Sequence, residues 1–469
     1  MKKFLLVLAL VAITPLFAQT LTLSKGKIQD SLMVNDTIFE SFALYLPTNF
    51  DVQKKWPVVF VFDMQGRGKQ VASMLAQAAE NEGYVVAGSN SLNDSLTITK
   101  NVLIASRLMG RVASILPVDS NRIYTAGFGG GARMASLLPT FISKIAGVLS
   151  CGAAISNIEV LNSKKPFHFI GVVGVEDYNY AEMLATQKLL HKLKFPNQLL
   201  TFQGGAKWPD RRLISMAFRT FTLASMAKGN VEKDDSIIQN AYNGHLVETN
   251  NLLADQPLQA QDRLWTIVKI FQPFKNLDSL KASLKTLGKT KLYRSQKRDR
   301  SAAMFKETLK KEDFGYYLDE DVRTYNYNNL GWWKYQMEEL NKYQKSLDGF
   351  EKNMGKRLEG YLNALIEDNL DALAQEKIVD IEAMNFLYML KTITAPKKPE
   401  NYLRVIANSA TIDDFGTALF YLEELLKTGF SDSEKIYTIE NTALLKITPE
   451  FNAIVEKYLK DSRYEPIEE

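Results

Sequence analysis

The sequence predicts a two-part chain: an α/β domain on a doubly wound, mostly parallel sheet, followed by an all-helical domain with repeat-type character. Three observations predict it. From residue 41 to about 228, short β-branched runs alternate with longer helical patterns, the rhythm of strands joined by crossover helices. Several of those runs are apolar without interruption, as expected for strands covered by helices on both faces. After a polar stretch at 228–235, strand signals fade and helical periodicity runs to the end.

Taken in order, the predicted strands are Phe42 to Leu46, Val58 to Phe62, Tyr84 to Gly88, Ile123 to Gly127, Ile145 to Ser150, His168 to Gly174 and Gln198 to Phe202. Helical patterns lie between them at Gln70 to Asn81, Val102 to Leu116, Ala132 to Pro139, Ala181 to Leu193 and Arg211 to Ala227. In the second half, breaks are expected at Pro257, Pro273, Gly288, Gly331 and Ala395 to Pro399. Asn401 to Ser409 and Asp413 to Gly429 read as a tetratricopeptide-type helix pair, and Asp235 to Phe271 as a fainter one, although no strict 34-residue period runs through the region. The predicted divisions are therefore 1–18, 19–228 and 229–469.

The first of these divisions reads as a signal peptide. Lys2 and Lys3 precede an apolar run from Phe4 to Ile13, and Ala18 offers a small residue at the expected cut. The chain is thus expected to be periplasmic or secreted, with no later stretch apolar for long enough to cross a bilayer. With 57 Lys+Arg against 53 Asp+Glu, the net charge of +4 is too small on 469 residues to point to nucleic acid. A single cysteine, Cys151, excludes an intramolecular disulfide framework. The scattered His168, His191 and His245 match no zinc spacing, so neither metal nor cofactor is expected.

The most informative segment is Asn121 to Ala135, in which a strand enters a glycine-rich turn and leaves as a helix. The turn has the frame of a nucleophile elbow, G-x-S-x-G, where a strained serine ends the strand and the next backbone N–H helps hold an oxyanion. Gly127 and Gly131 occupy the flanking positions, and Gly129 stands where the serine belongs.

Residues 40 to 228 resemble the polyhydroxybutyrate depolymerase and feruloyl-esterase-like branch of the α/β-hydrolases. The resemblance is carried by Pro57 to Asp63, by Ala87-Gly88-Ser89-Asn90-Ser91, by Gly174-Val175-Glu176-Asp177-Tyr178-Asn179-Tyr180 and by Gly204-Gly205-Ala206-Lys207-Trp208-Pro209. It implies a second oxyanion donor near Met64 and Gln65, beside that of Gly130, and it implies that Asp177 is the acid. The last segment is similar to the family's G-G-H-x-W-P, which puts Ala206 in the histidine's place.

A triad needs an attacking hydroxyl, an imidazole that takes its proton and a carboxylate that orients the imidazole. Gly129 supplies no nucleophile and Ala206 no base, so only Asp177 remains and no catalytic residue is expected. Glycine also keeps the bend, because it adopts the strained elbow conformation without a Cβ clash. The expected protein is a pseudo-hydrolase that binds or scaffolds in the cell envelope, engaging a protein partner through its helical domain. Gly130, Met64 and Gln65 would hold a small carbonyl or carboxylate ligand. The competing expectation is a divergent serine-type esterase, acting on esters or polysaccharide decorations through a non-standard nucleophile.

Other readings of the same residues are weaker. Gly127, Gly129 and Ala132 also spell G-x-G-x-x-A, but this turn follows several strands, and the next strand ends at Leu149-Ser150-Cys151-Gly152 with no ribose-binding carboxylate. Cys151 falls at a strand end without an obvious activating histidine and reads as inert. The basic run Lys289 to Lys311 reads as a solvated helix face. The aromatic cluster of Tyr316, Tyr317, Tyr325, Tyr327, Trp332, Trp333 and Tyr335 reads as core, with a protein-binding groove as the alternative.

Overall fold

The computed structural model describes residues 23–464; the segment 1–18 that the sequence predicts to be a signal peptide lies outside them. One eight-stranded sheet organises the first half, in the order β1-β2-β4-β3-β5-β6-β7-β8. Its strands are β1 (Ile28–Met33), β2 (Ser41–Tyr45), β3 (Trp56–Phe62), β4 (Val85–Ser89), β5 (Val118–Phe128), β6 (Ile145–Cys151), β7 (His168–Gly174) and β8 (Asn197–Phe202). β2 pairs antiparallel with β1 and β4, and every pairing from β4 to β8 is parallel. The crossover helices are α1 (Gly68–Glu82), α2 (Ile98–Ile115), α3 (Gly130–Phe141) and α4 (Tyr180–Lys192), and α5 (Arg211–Ala227) follows the last strand. This is an α/β-hydrolase-like arrangement.

The uninterrupted apolar strands explain themselves once the two faces are separated. Along β3, Val58, Phe60 and Phe62 enter one core while Val59 and Val61 enter the other, the period of two that a pleated strand imposes. Fully burying each such side chain contributes about 1.5–3 kcal/mol, so strands buried on both faces anchor the domain.

β1 is the one strand absent from the sequence prediction. It is an edge strand, only partly buried, whose register shifts between Gln29 and Leu32 around Ser31 at φ 55°. A bulge breaks the alternation on which strand prediction depends.

The second half is helical. It comprises α6 (Asp235–Asn250), α7 (Pro257–Phe271), α8 (Asp278–Leu287), the long α9 (Lys291–Thr324), α10 (Leu330–Gln344), α11 (Gly349–Ala374), α12 (Ile381–Thr394), α13 (Pro399–Thr411) and α14 (Phe415–Lys427), then short helices to Leu459. Local chemistry sets the starts. Asp234, Thr290, Asp348, Asp380 and Asp414 each accept a backbone N–H of the first turn, while Pro257 and Pro399 stand at first-turn positions where no N–H is needed.

Leu223 and Met226 of α5 share one apolar cluster with Ile238, Leu264 and Phe271. The polar stretch at 228–235 therefore joins packed neighbours. α13 and α14 share a further cluster, centred on Ile406, Leu422 and Leu425.

The aromatic cluster divides. Trp333 is wholly buried, with its indole N–H on Asp321 Oδ2 at 2.8 Å, whereas Tyr316 and Tyr335 are 67% and 53% exposed. Core packing thus accounts for only part of the cluster, because α9 and α10 each turn one aromatic face inward and one outward. Among the described residues, no helix is long and apolar enough to cross a membrane.

Candidate functional site at the sheet edge

The C-terminal ends of β5, β6, β7 and β8 bring the predicted positions together. β5 stops at Phe128, and Gly129 turns the chain at φ 53° and ψ −121° before α3 begins. Its N–H continues the sheet ladder to the Cys151 carbonyl at 3.0 Å, and its carbonyl accepts the Ala132 N–H at 3.0 Å. A Cβ built at Gly129 meets nothing within 4 Å, so side-chain space exists where a nucleophile would project.

The flanking glycines have no such room. A Cβ at Gly127 would come within 2.3 Å of Gly131 backbone, and one at Gly131 within 2.1 Å of the Phe62 carbonyl oxygen. The two flanking glycines are fixed by strand–helix approach, the central one by its backbone torsion.

The turn after β7 carries Asp177, 1% exposed. Its Oδ1 accepts the Asn179 N–H at 2.9 Å, while Oδ2 is buried without a hydrogen-bond partner. Burial pushes this carboxyl up to about 6, against the opposing influences of the Asn179 N–H and the Lys311 charge. Gly152 follows β6 at φ 64°, and a Cβ there would lie 3.1 Å from Asp177 Oδ2 and 2.8 Å from the Phe128 ring. Asn179 then ties the acid turn to this point, donating from Nδ2 to the Gly152 carbonyl at 2.7 Å.

The segment after β8 packs on the acid turn. Glu176 N–H donates to the Gly204 carbonyl at 3.0 Å, and Trp208 stacks obliquely on Phe128 with centroids 5.7 Å apart. The elbow, the acid turn and the Ala206 segment therefore form one contiguous edge. Ala206 itself is exposed and offers Asp177 no proton-bearing partner. Asp177 thus keeps one buried carboxyl oxygen without a partner at this edge.

The predicted oxyanion positions differ among themselves. Gln65 N–H is already donated to Asp63 Oδ1 at 2.9 Å. A Cβ at Gly130 would sit 3.2 Å from Met64 Cγ, so these two positions adjoin, and the Gly130 N–H lies in the first turn of α3, where no intrahelical acceptor exists. Cys151 is wholly buried, and burial pushes its thiol far above the usual range, away from thiolate chemistry. Of the histidines, His168 is buried against Gln198 and Phe221 and His245 against Phe271, whereas His191 is exposed.

Sequence reasoning missed a set of residues from the helical half. Arg357 of α11, 3% exposed, donates to the Val175 carbonyl at 2.7 Å and to Glu307 Oε2 at 2.7 and 2.8 Å. Lys311 of α9 donates to the Tyr178 carbonyl at 2.7 Å, and Lys356 pairs with Glu176 at 2.6 Å. These three cations clamp the acid turn. Only the four-residue spacing of Glu307 and Lys311 was visible in sequence.

Comparison with known proteins gives structural likeness only. The sequence matches no protein-family model. No curated protein matches it either. Solved structures that align with it include S-formylglutathione hydrolase FrmB of Staphylococcus aureus, at 13% identity over 43% of this chain and 99% of that one, with a TM-score of 0.35. A hyperthermophilic esterase of Pyrobaculum calidifontis aligns at 12% identity over 43% of this chain and 87% of that one, TM-score 0.37. Est1E of Butyrivibrio proteoclasticus aligns at 13% identity over 43% and 99%, TM-score 0.34.

Proposed function

We propose that this chain is an exported pseudo-hydrolase: a binding or scaffold protein on an α/β-hydrolase-like frame that has lost acyl-transfer chemistry. The observation that carries this reading is the orphaned Oδ2 of Asp177, buried on the same edge as a segment that presents Ala206 and a nucleophile-less turn at Gly129. Removing members of a working triad costs on the order of 10⁴-fold or more in rate, and what remains is binding and oxyanion stabilisation. Met64 and Gly130, with Gln65 beside them, are suited to a small carbonyl or carboxylate ligand. The buried thiol of Cys151 gives the alternative of a divergent serine-type esterase no support.

In this proposal the helical half, with its tetratricopeptide-like helix pairs, is the surface for a protein partner. Phe305, Leu309 and Tyr316 of α9 are 68%, 46% and 67% exposed and recur at spacings of one and two turns.

The test is hydrolysis of short p-nitrophenyl esters together with labelling by a fluorophosphonate probe. The wild-type chain is expected to do neither, and the Gly129→Ser/Ala206→His variant to be labelled, since it restores a hydroxyl at the elbow and an imidazole in the segment that packs on the Asp177 turn. Wild-type turnover, or wild-type labelling, overturns the reading.

A further inference from the structure

A large cavity lies away from the elbow, between the sheet domain and the helical half. It encloses about 800 Å³ and is walled by α4 and β8 on one side and by α7, α9 and the start of α11 on the other. Neither this cavity nor the smaller one beside Trp208 is lined by Gly129, Asp177 or Ala206. The two share Thr201, Gln203, Gln256, Gln259 and Arg263 and so adjoin one another.

Its chemistry is uneven. The acids on its wall are all engaged: Glu176 by Lys356 at 2.6 Å, Asp262 by Arg300 at 2.9 Å, Asp299 by Arg298 at 3.4 Å, and Asp348 by the Phe350 N–H at 2.9 Å as the cap of α11. Two cations on the same wall, Lys269 and Lys352, have no ion-pair partner among the described residues, while Lys188 acts on Asp262 through its charge. Lys269 is the informative one, because it is half-buried on α7 and burial alone pulls its ammonium down. A partly desolvated cation without a counter-charge is unfavourable until an anion arrives.

Amides and an indole complete the wall. The side chains of Gln187, Gln203, Gln259 and Asn353 line the cavity and make no hydrogen bond among the described residues. Asn197 also lines it, 3% exposed, with Oδ1 unpartnered. Trp265 is 52% exposed and lies one helical turn from both Asp262 and Lys269 on the same face of α7. Free amides match hydroxyl groups, which both donate and accept, a flat ring face packs on an indole, and the unpaired ammonium groups select negative charge.

We propose that this interdomain cavity binds an acidic sugar, a mono- or oligosaccharide bearing a carboxylate, with Lys269 facing the carboxylate and Trp265 the ring. The site is independent of the elbow and of the loss of hydrolysis there.

Calorimetric titration of the full chain with digalacturonate tests it, with the neutral disaccharide lactose and inorganic phosphate as comparison probes. Saturable binding of digalacturonate is expected, weakened about tenfold or more by Lys269→Gln and by Trp265→Ala and unchanged in Gly129→Ser/Ala206→His. Lys352→Gln, at an exposed position, serves where Trp265→Ala fails to fold, and is expected to weaken binding and to make its loss with salt shallower. Absence of saturable binding, or binding indifferent to the lysine variants, overturns the site. Equal affinity for lactose overturns its acidic preference, and equal affinity for phosphate overturns its preference for sugar.

Discussion

The guanidinium of Arg357 donates to the main-chain carbonyl of Val175 at 2.7 Å, joining a helix of the second half to the turn that carries Asp177. The same side chain is held by Glu307, itself 1% exposed. A buried pair of this kind resists the removal of one partner far more than the removal of both, because a lone buried charge is left behind.

Arg357→Met is therefore expected to destabilise the chain by about 2–3 kcal/mol, Lys311 remaining as a partner for Glu307. Arg357→Met/Glu307→Leu is expected to recover most of that loss. Urea unfolding of the two single variants and the double variant measures the coupling. Strictly additive losses would show that the pair does not act as a unit.

The elbow makes a sharper contrast. Gly129→Ser adds a side chain to open space and meets only backbone strain at positive φ, a cost of about 1–3 kcal/mol. Gly131→Ser drives Cβ into the Phe62 carbonyl and is expected to abolish folding or cost well above that. Thermal melts of the two variants separate the torsional requirement from the steric one. Equal melting temperatures would contradict the assignment of different roles to the two glycines.

Asp177 carries a pH signature. Its folded pKa of about 6 lies above the 3.8 of an ordinary aspartate, so between these values the folded chain holds a proton that the unfolded chain has lost. The group therefore disfavours folding above pH 6, and that penalty fades as pH falls towards 4. Asp177→Asn is expected to stabilise the protein by about 1–2 kcal/mol at pH 8 and by nothing near pH 4. A loss of stability at pH 8 would instead assign the charged carboxylate a structural role.

His168 and His245 act in the opposite sense. Burial, first among the causes, lowers both to about 4 from an ordinary 6.5. Their contribution is complete above 6.5 and is lost as pH falls towards 4, because the unfolded chain takes up protons that the folded chain refuses. Two histidines outweigh one aspartate, so the wild-type melting temperature is expected to fall between pH 6.5 and 4. His245→Gln is expected to flatten that slope, and an unchanged slope would remove His245 from the account.

Much of the sheet domain was legible because its signals are local. The run Val58 to Phe62 can satisfy its burial only as a strand covered on both faces, and Asp210 starts α5 by capping Leu213 N–H at 2.9 Å. The edge strand at Ile28–Met33 was not legible, since its bulge at Ser31 erases the alternation. The division of the aromatic cluster was also hidden, because which face of a helix is covered depends on the neighbouring helix rather than on the helix itself.

For the site, the sequence alone determined which atoms are missing: a glycine has no hydroxyl and an alanine no imidazole, whatever the fold does. Only the tertiary structure decided that Asp177 is buried with a free oxygen, that Arg357, Lys311 and Lys356 hold its turn, and that a cavity opens between the two halves. The reason is physical. Side-chain chemistry is a property of one residue, whereas burial, charge pairing and empty volume are set by segments far apart in the chain, up to 182 residues in the contact of Arg357 with Val175.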